Sequence, residues 1–238
     1  MIVPKGARAH DAAPMLAPEQ GASPLLAHDL ALGHPLVAGA DEAGRGCLAG
    51  PIVAAAVCLD LLALDDGGLR ELSALDDSKR LTPRRRAALV GVVMRHARQV
   101  VVVSATARSI DADGLHATNI RIMREALAAL DPGPDIALVD GFHLGADAPQ
   151  HRKVIKGDAT SAAIAAASVI AKESRDRLMR GPGAAQYPGY GFEGHVGYTT
   201  AAHTEAVRRL GPCPLHRRSF RSSAYGDDLT LFEQRHRG

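Results

Sequence analysis

Aromatic residues are scarce in this sequence. Phe, Tyr and Trp together make up 3% of its 238 residues, and Trp is absent. Apolar residues still account for 46% of the chain, so a sizeable core is expected in which Ala, Val, Leu and Ile replace aromatic rings. Basic residues do not dominate either, since the formal net charge is only +2. Charge alone therefore does not require a nucleic-acid partner, although clustered basic residues could still form a local footprint.

Cysteine pairs, metal-binding histidine motifs and long apolar runs are also missing. The three cysteines are odd in number and include no C-x-x-C pair, which disfavours a disulfide framework and a cysteine-rich zinc site. No H-E-x-x-H motif occurs, and no apolar run reaches membrane-spanning length. The basic head and apolar core of a signal peptide are lacking as well. These absences favour a cytoplasmic protein without a membrane anchor, folded as one domain or one domain with appendages.

The chain is organised around a stretch that starts at Leu36. Its apolar first part predicts a buried strand, which ends in two adjacent carboxylates, Asp41 and Glu42, before a Gly44-Arg45-Gly46 turn. Two carboxylates in an apolar setting are costly unless a cation neutralises them, and either the arginine of the turn or a divalent metal ion could do so. The glycines let the backbone approach a ligand closely. The stretch predicts one edge of a metal-dependent site that handles phosphate, although a solvated turn is the simpler alternative.

Glycines after a strand are also typical of dinucleotide-binding folds. Here, however, Gly50 comes one place late for the G-x-G-x-x-G fingerprint, and Pro51 begins a second apolar run where that fold requires a helix. No G-x-x-x-x-G-K-[ST] phosphate loop occurs either. A nucleotide-cofactor domain is therefore disfavoured.

Two further segments of the chain contain an apolar run, a carboxylate and a nearby glycine. Asp140 ends a short apolar run before Gly141, and Asp158 follows Gly157 at the start of a long Ala-rich helix. Neighbouring strand ends in an open α/β sheet could bring these side chains to Asp41. Bound Mg²⁺ or Mn²⁺ would cancel their repulsion, and two such ions about 3.5–4 Å apart can hold both oxygens of a phosphodiester displacement. Asp158 could instead only cap its helix, and Asp140 could be a simple turn residue.

The remaining pattern predicts strands that first form a meander and then alternate with helices. This order favours a mixed α/β sheet flanked by helices over a purely parallel one. Residues 60–82 are expected to form a loop, and in the helix that begins at Pro83 we expect Ala87, Val90 and Met94 to face the core. The strands are predicted from residue 36 and at 51–59, 99–107, 136–141 and 151–155, and the helices at 83–97, 116–130, 159–180 and 200–210.

Several motifs occur in an order that resembles the ribonuclease HII family. The resemblance spans about residues 35–220 and begins with the glycine-rich stretch at 38–51 that contains Asp41 and Glu42. The other matching segments are Asp77-Ser78-Lys79-Arg80-Leu81, Asp140-Gly141, Lys156-Gly157-Asp158, 164–172 with Arg175-Asp176, 187–192, 195–198, Gly211-Pro212 and His216-Arg217-x-Ser219-Phe220.

The resemblance implies an α/β, RNase H-like fold, with a five-stranded mixed sheet flanked by helices and a C-terminal helical extension. It also implies a metal-dependent endonuclease that hydrolyses the RNA strand of RNA–DNA hybrids. Such an enzyme would cleave 5′ of single ribonucleotides embedded in duplex DNA and leave 3′-hydroxyl and 5′-phosphate ends. We expect a monomer with a mobile leader (1–33), where Leu25-Leu26 could dock on the domain, a catalytic domain (34–180), a substrate-binding loop and helix (181–222) and a tail (223–238).

The same resemblance assigns roles to single residues. The backbone of Gly44-Arg45-Gly46 would sense the ribose 2′-hydroxyl, which alone distinguishes RNA from DNA at one position. Tyr198 would lie against the sugar of the following deoxynucleotide. The catalytic residues and ligands of two divalent ions, Mn²⁺ or Mg²⁺, would be Asp41, Glu42, Asp140 and Asp158. The candidates for phosphate contacts are Lys79, Arg80, Lys156 and Lys172.

The chain departs from the family pattern at two positions of the C-terminal loop. Val196 stands where Lys is common, and Thr199 stands where Gly is usual, which affects one phosphate contact and the local pose of Tyr198. None of the four acidic positions departs. A non-catalytic module that binds hybrids is an alternative function. The complete acidic set argues against it, because a surface for phosphates gains nothing from four carboxylates.

Overall fold

One five-stranded sheet forms the centre of the protein in a computed structural model that describes residues 22–75 and 81–225. The order across the sheet is β3-β2-β1-β4-β5. The β1–β2 and β2–β3 pairs are antiparallel, whereas β1–β4 and β4–β5 are parallel. The predicted five-stranded mixed sheet is therefore confirmed. In chain order the strands are β1 (Leu36–Ala43), β2 (Ile52–Asp60), β3 (Ala97–Ala105), β4 (Ile136–Asp140) and β5 (His151–Val154).

Helices enclose two separate apolar cores, one on each face of the sheet. Alternate side chains of β2 enter the two cores, as the two-residue period of a strand requires, with Val57 on one side and Ala56 on the other. The helices are α1 (Pro24–Ala31), α2 (Asp66–Leu72), α3 (Pro83–His96), α4 (Ala107–Asp113), α5 (Leu115–Ala128), α6 (Ala162–Leu178), α7 (Ala184–Gln186), α8 (Phe192–His195) and α9 (Ala201–Leu210). A 3₁₀ turn (Gly157–Ala159) precedes α6, and a π-helical turn (Met179–Gly183) follows it.

The Ala-rich first half of α6 lies against β1 at very short range. A Cβ atom at Gly39 would overlap the backbone of Ala163 and Ile164, so only glycine permits this approach. The buried half of α6 is almost entirely small or β-branched, as the sequence predicts. A narrow space between helix and sheet explains how a core of this size forms with so few aromatic rings.

The C-terminal helices form a third apolar cluster beside the sheet. Leu48, from the loop between β1 and β2, is 2% exposed and packs into it. This loop is thereby attached to the C-terminal extension. Most aromatic side chains of the chain gather in or around the cluster, namely Tyr187, Tyr190, Phe192, Phe220 and Tyr225. Within the described residues, no helix is long and apolar enough to cross a membrane.

Two predictions for the N-terminal half need correction. Residues 1–33 are predicted as a mobile leader, but α1 is packed on α6. Leu26 is fully buried, and the carboxylate of Asp29 accepts a hydrogen bond from the Ser161 hydroxyl. The docking expected at Leu25-Leu26 is thus confirmed, and the folded unit includes the chain from residue 22. Residues 1–21 lie outside the described part. The predicted loop at 60–82 contains α2, which Asp65 caps through its side chain.

Two helices also differ in detail from the sequence pattern. In α3 the buried apolar side chains are Leu89 and Val93. Of the three residues predicted to face the core, Val90 packs against it partly buried, whereas Ala87 is only half-buried and Met94 is 60% exposed. The buried face of α3 is rotated relative to the predicted one because Arg86 is also buried, where it pairs with Glu173 and Asp176 on α6. The helix α6 begins after Ser161, whose side chain accepts the hydrogen bond of the cap. Asp158 therefore does not cap it.

Candidate active site

Two of the predicted acidic residues lie near the carboxyl ends of neighbouring strands, Asp41 within β1, which continues to Ala43, and Asp140 as the last residue of β4. The parallel strands β1 and β4 are in register at Ala40 and Val139, so Asp41 and Asp140 follow directly from paired positions. Asp41 is 5% exposed and Asp140 is half-buried. Carboxyl ends of neighbouring parallel strands form the usual binding edge of an open α/β sheet. The structure therefore brings together two segments that are far apart in the sequence.

The third acidic segment is attached to the second by a hydrogen bond. The amide N–H of Gly157 donates to Oδ1 of Asp140 at 2.6 Å. A Cβ atom at residue 157 would meet this same oxygen at 3.2 Å and Ile164 Cδ1 at 2.5 Å, so a larger residue would have to displace the Ile164 side chain. Asp158, next in the chain, is 6% exposed in the 3₁₀ turn before α6. The segments of all four predicted acidic residues thus adjoin one another.

The electrostatics of Asp41 show the cost of this arrangement. Burial raises the pKa of Asp41 well above its ordinary value, and the charge of Glu42 raises it further. A hydrogen bond from Ser168 on α6 acts in the opposite direction, while the charge of Asp140 adds to the rise. The backbone N–H of Glu42 also donates to Asp41 Oδ1 at 2.7 Å. The cluster repels itself, which a bound cation would relieve.

The chemistry of the donor set fits a hard divalent cation. Carboxylate oxygens suit Mg²⁺ and Mn²⁺, and no sulfur or imidazole is among the predicted ligands. Across residues 22–75 and 81–225, however, no group of three or more His, Cys, Asp or Glu side chains is placed so that it could hold a metal ion. The four carboxylates stay predicted ligands.

The glycine turn after β1 has two differently surrounded glycines. A Cβ atom at Gly44, which has φ +93°, would overlap the side chain of Arg175. A Cβ atom at Gly46 would meet nothing within 4 Å, and this residue is exposed. The guanidinium of Arg45 lies over the Phe142 ring at 4.8 Å from its centroid. The open approach predicted for a ligand therefore exists at Gly46, whereas Gly44 accommodates a buried side chain of the protein itself.

Tyr198 and Lys172 are brought together as a pair. The Lys172 Nζ atom lies 4.8 Å from the centroid of the Tyr198 ring and 3.4 Å from its hydroxyl oxygen. The same Nζ donates to Asp176 Oδ1 at 2.8 Å, which fixes the lysine over the ring. Tyr198 is 42% exposed, so one face remains accessible. Val196, one of the two departures from the family pattern, is 5% exposed and adopts a left-handed conformation with φ +46°.

The other predicted phosphate contacts are placed in part. Lys156 is exposed and directly precedes Gly157, so it lies beside the acidic cluster. Its backbone is also left-handed, with φ +54°. Lys79 and Arg80 lie outside the described residues. Phosphate binding by these side chains stays a prediction.

Sequence reasoning missed three buried residues around the site. Ser168 is a polar residue in the apolar half of α6, and its position there was the available signal. Arg175 and Arg217 are both fully buried, although arginine is expected at the surface. Both occur in motifs shared with the family, but nothing in the local pattern indicates what they contact.

Comparisons with known proteins cover most of the chain. The family model for ribonuclease HII matches residues 38–223. The ribonuclease HII of Mycobacterium avium is 50% identical over 184 residues, which is 77% of this chain and 77% of that protein. The ribonuclease HII of Mycobacteroides abscessus is 48% identical over 196 residues, 81% of each chain. The crystal structure of ribonuclease H2 from Pyrococcus horikoshii OT3 is similar with a TM-score of 0.64 and 26% identity, over 85% of this chain and 99% of that one.

Proposed function

Because the chain belongs to the ribonuclease HII family and is a metal-dependent ribonuclease H of that type, we propose that it cleaves RNA–DNA hybrids and also cuts 5′ of single ribonucleotides embedded in duplex DNA. The products carry 3′-hydroxyl and 5′-phosphate ends. The observation that carries this proposal is the meeting of three acidic segments at one sheet edge, beside an exposed glycine turn.

The acidic residues take the metal-binding role in this proposal. Asp41, Glu42, Asp140 and Asp158 would hold two divalent ions, Mg²⁺ or Mn²⁺. When bound, such ions supply Lewis-acid stabilisation to the attacking and leaving oxygens of the scissile phosphate. The raised pKa of Asp41 supports this assignment, since its main causes, burial and neighbouring carboxylates, leave a negative site that a cation would stabilise.

The glycine turn and Tyr198 take the role of recognising the substrate. The 2′-hydroxyl can be distinguished by backbone groups that come close to the sugar, and the exposed Gly46 has no side chain to prevent this. Tyr198 presents an accessible ring held by Lys172, and a ring packed against the next sugar would disfavour a second 2′-hydroxyl by crowding, so that a continuous RNA strand is cut more slowly than a single ribonucleotide. Exposed Lys156 supplies a positive charge next to the cluster, where a phosphate contact would position the duplex.

Two other functions fit the structure less well. A module that only binds hybrids gains nothing from Asp41, because a buried carboxylate that is costly to ionise would weaken a phosphate-binding surface beside it. A dinucleotide-binding domain requires a helix directly after the glycine turn, but this chain continues into β2, which is antiparallel to β1.

The test is a cleavage assay on two labelled duplexes, one with a single ribonucleotide and one with a continuous RNA strand. We expect both to be cut with Mg²⁺ or Mn²⁺ and neither with a chelator. Asp140→Asn should lose at least about a hundredfold in kcat, because an interaction with developing charge is removed. A variant of a half-buried carboxylate at the opposite end of these strands, Asp60→Asn, is the control. Cleavage of neither duplex by the wild-type protein with metal present would refute the proposed function.

A further inference from the structure

Two buried arginines surround the loop that joins β1 to β2. Arg217 donates from all three of its nitrogens to backbone carbonyls of this loop: Nη1 to Arg45 O at 2.9 Å, Nε to Gly50 O at 3.1 Å and Nη2 to Pro51 O at 3.1 Å. Arg217 is fully buried. Burial lowers the pKa of Arg217 to about 10. The guanidinium is thus solvated by peptide groups of the glycine-turn loop, in place of water.

Arg175 connects the same loop to the segment before Tyr198. Its Nε donates to Pro51 O at 3.0 Å, Nη2 to Ala49 O at 2.9 Å and Nη1 to Val196 O at 3.0 Å. The carbonyl of Pro51 therefore accepts hydrogen bonds from both guanidinium groups. Arginine can bridge in this way because its donors form a rigid planar fork, which lysine lacks.

Three glycines with positive φ lie against the Arg175 side chain. A Cβ atom at Gly44 would overlap its Nε and Cδ atoms. Cβ atoms at Gly50 and Gly197 would overlap Met179 Sδ and Ala49 O, and would also lie 3.2 Å and 3.3 Å from Arg175 Nη2. The φ angles of the three glycines are +93°, +94° and +89°. Two of them belong to the glycine-rich stretch and the third to the C-terminal loop, yet all three lie against one guanidinium. The packing leaves little room for the loop to move relative to Arg175.

Backbone hydrogen bonds complete the connection between the two segments. Ala49 N–H donates to Gly197 O at 3.2 Å, and Arg217 N–H donates to Leu48 O at 2.9 Å. The glycine turn and Tyr198, which come from distant parts of the chain, are therefore held in one rigid unit. An arrangement of this kind matters when two groups must read adjacent sugars, because an error of about 1 Å in position can cost a hundredfold in rate.

We propose that Arg217 and Arg175 are positioning residues, which fix the glycine turn relative to Tyr198 and so set the preference for a single ribonucleotide at a junction. This inference rests on the proposed function. Arg217 also polarises the peptide group between Arg45 and Gly46, since the carbonyl that accepts from a charged donor belongs to the same peptide as the N–H of Gly46. That N–H becomes a stronger donor as a result.

The two substrates separate a positioning role from a structural one. A duplex with one ribonucleotide offers only one 2′-hydroxyl, so a displaced glycine turn can no longer recognise this substrate. A continuous RNA strand offers a 2′-hydroxyl at every position and can be bound in another register. Partial unfolding, in contrast, lowers the active fraction and reduces cleavage of both substrates by the same factor. The informative quantity is the ratio of kcat/KM for the single-ribonucleotide duplex to that for the continuous hybrid.

The test variant is Arg217→Lys, which keeps the positive charge but cannot reach three carbonyls. We expect this ratio to fall at least about tenfold, in line with the cost of misplacing a recognition group. The matched control is Arg124→Lys, which replaces a guanidinium that donates to a backbone carbonyl elsewhere, Leu144 O at 2.6 Å. Its ratio should stay at the wild-type value. A folded Arg217→Lys protein whose ratio is within about twofold of wild type would overturn the proposal.

A second variant keeps the proposal testable if Arg217→Lys does not fold. The half-buried carboxylate of Asp111 accepts hydrogen bonds from Arg218 N at 3.0 Å and from Ser219 N at 2.9 Å, next to Arg217. Asp111→Ala loosens this segment from the surface without opening the core. The ratio should then fall by a smaller factor, and an unchanged ratio would overturn the proposal in that case. Wild-type protein that cleaves neither substrate refutes the proposed function instead, which is a different result.

Discussion

Replacing Asp41 by Asn should stabilise the metal-free protein while it abolishes cleavage. The carboxyl group is 5% exposed, and its pKa is raised well above the ordinary value, first by burial and then by the charge of Glu42. A raised pKa means that ionisation is less favourable in the folded protein than in the unfolded chain. Stability is therefore lost as the pH rises above the unfolded value of about 3.9, until the folded group is fully ionised.

The size of the effect follows from this linkage. Each unit by which the folded pKa of Asp41 exceeds the unfolded one costs about 1.4 kcal/mol of unfolding free energy at high pH. For a protein of this length, 1 kcal/mol corresponds to about 2–4 °C in Tm. Asn carries no charge to desolvate, keeps one acceptor oxygen and has nearly the same volume. The variant is thus expected to gain at least about 3 °C in Tm.

The assay is thermal unfolding of both proteins in the presence of a chelator, at a pH of about 8 and again at about 4.5, which is nearer the unfolded pKa, so that less of the cost of ionisation has been incurred. The variant should unfold at a higher temperature at the upper pH, and the difference should shrink at the lower pH. A Tm at or below that of wild type at the upper pH would refute the reasoning. An equal gain at both pH values would show that charge is not the cause.

Two further predictions concern the glycine turn and the buried histidines. Gly44→Ala should lower Tm by at least about 4 °C, because the new Cβ atom overlaps a buried guanidinium at a positive φ, whereas Gly46→Ala should stay within about 1 °C in the same thermal assay. Equal effects of the two substitutions would contradict this assignment. Burial lowers the pKa values of His203 and His216 to about 4 from 6.5, so both are neutral in the folded protein and their contribution to stability is lost as the pH falls from 6.5 towards 4. Urea unfolding across this range should show the decline, and His216→Gln should reduce it; a decline as steep in the variant would rule out His216 as a source.

The alternation of strands and helices was readable from local patterns. Near-continuous apolar runs marked β2 and β4 as buried strands, and Pro83 marked the start of α3, where the Thr82 side chain accepts the capping hydrogen bond. These features depend on residues within a few positions of each other. Their physical causes, side-chain period and cap geometry, act locally, so the sequence carries them directly.

The face that α3 buries was not readable in this way. An apolar pattern favoured Ala87, Val90 and Met94, but only Val90 of these packs against the core, and the helix is rotated so that Leu89, Val93 and Arg86 are buried. Arg86 Nη2 lies 3.3 Å from Asp176 Oδ2 on α6, and such a pairing offsets the cost of burying the charge. Hydrophobic periodicity assumes that charges remain in water, and this assumption fails when a partner arrives from a distant part of the chain.

By itself, the sequence determined where the acidic residues and glycines stand, and which of them follow apolar strands. Only the tertiary structure decided that Asp41 and Asp140 lie on neighbouring strands near the same end of the sheet and that Asp158 adjoins them through Gly157. It also decided that Gly44 makes room for Arg175, while Gly46 faces open space. The reason is that burial, close approach and electrostatic repulsion depend on distances through space, and residues far apart along the chain acquire those distances only when the strands pair.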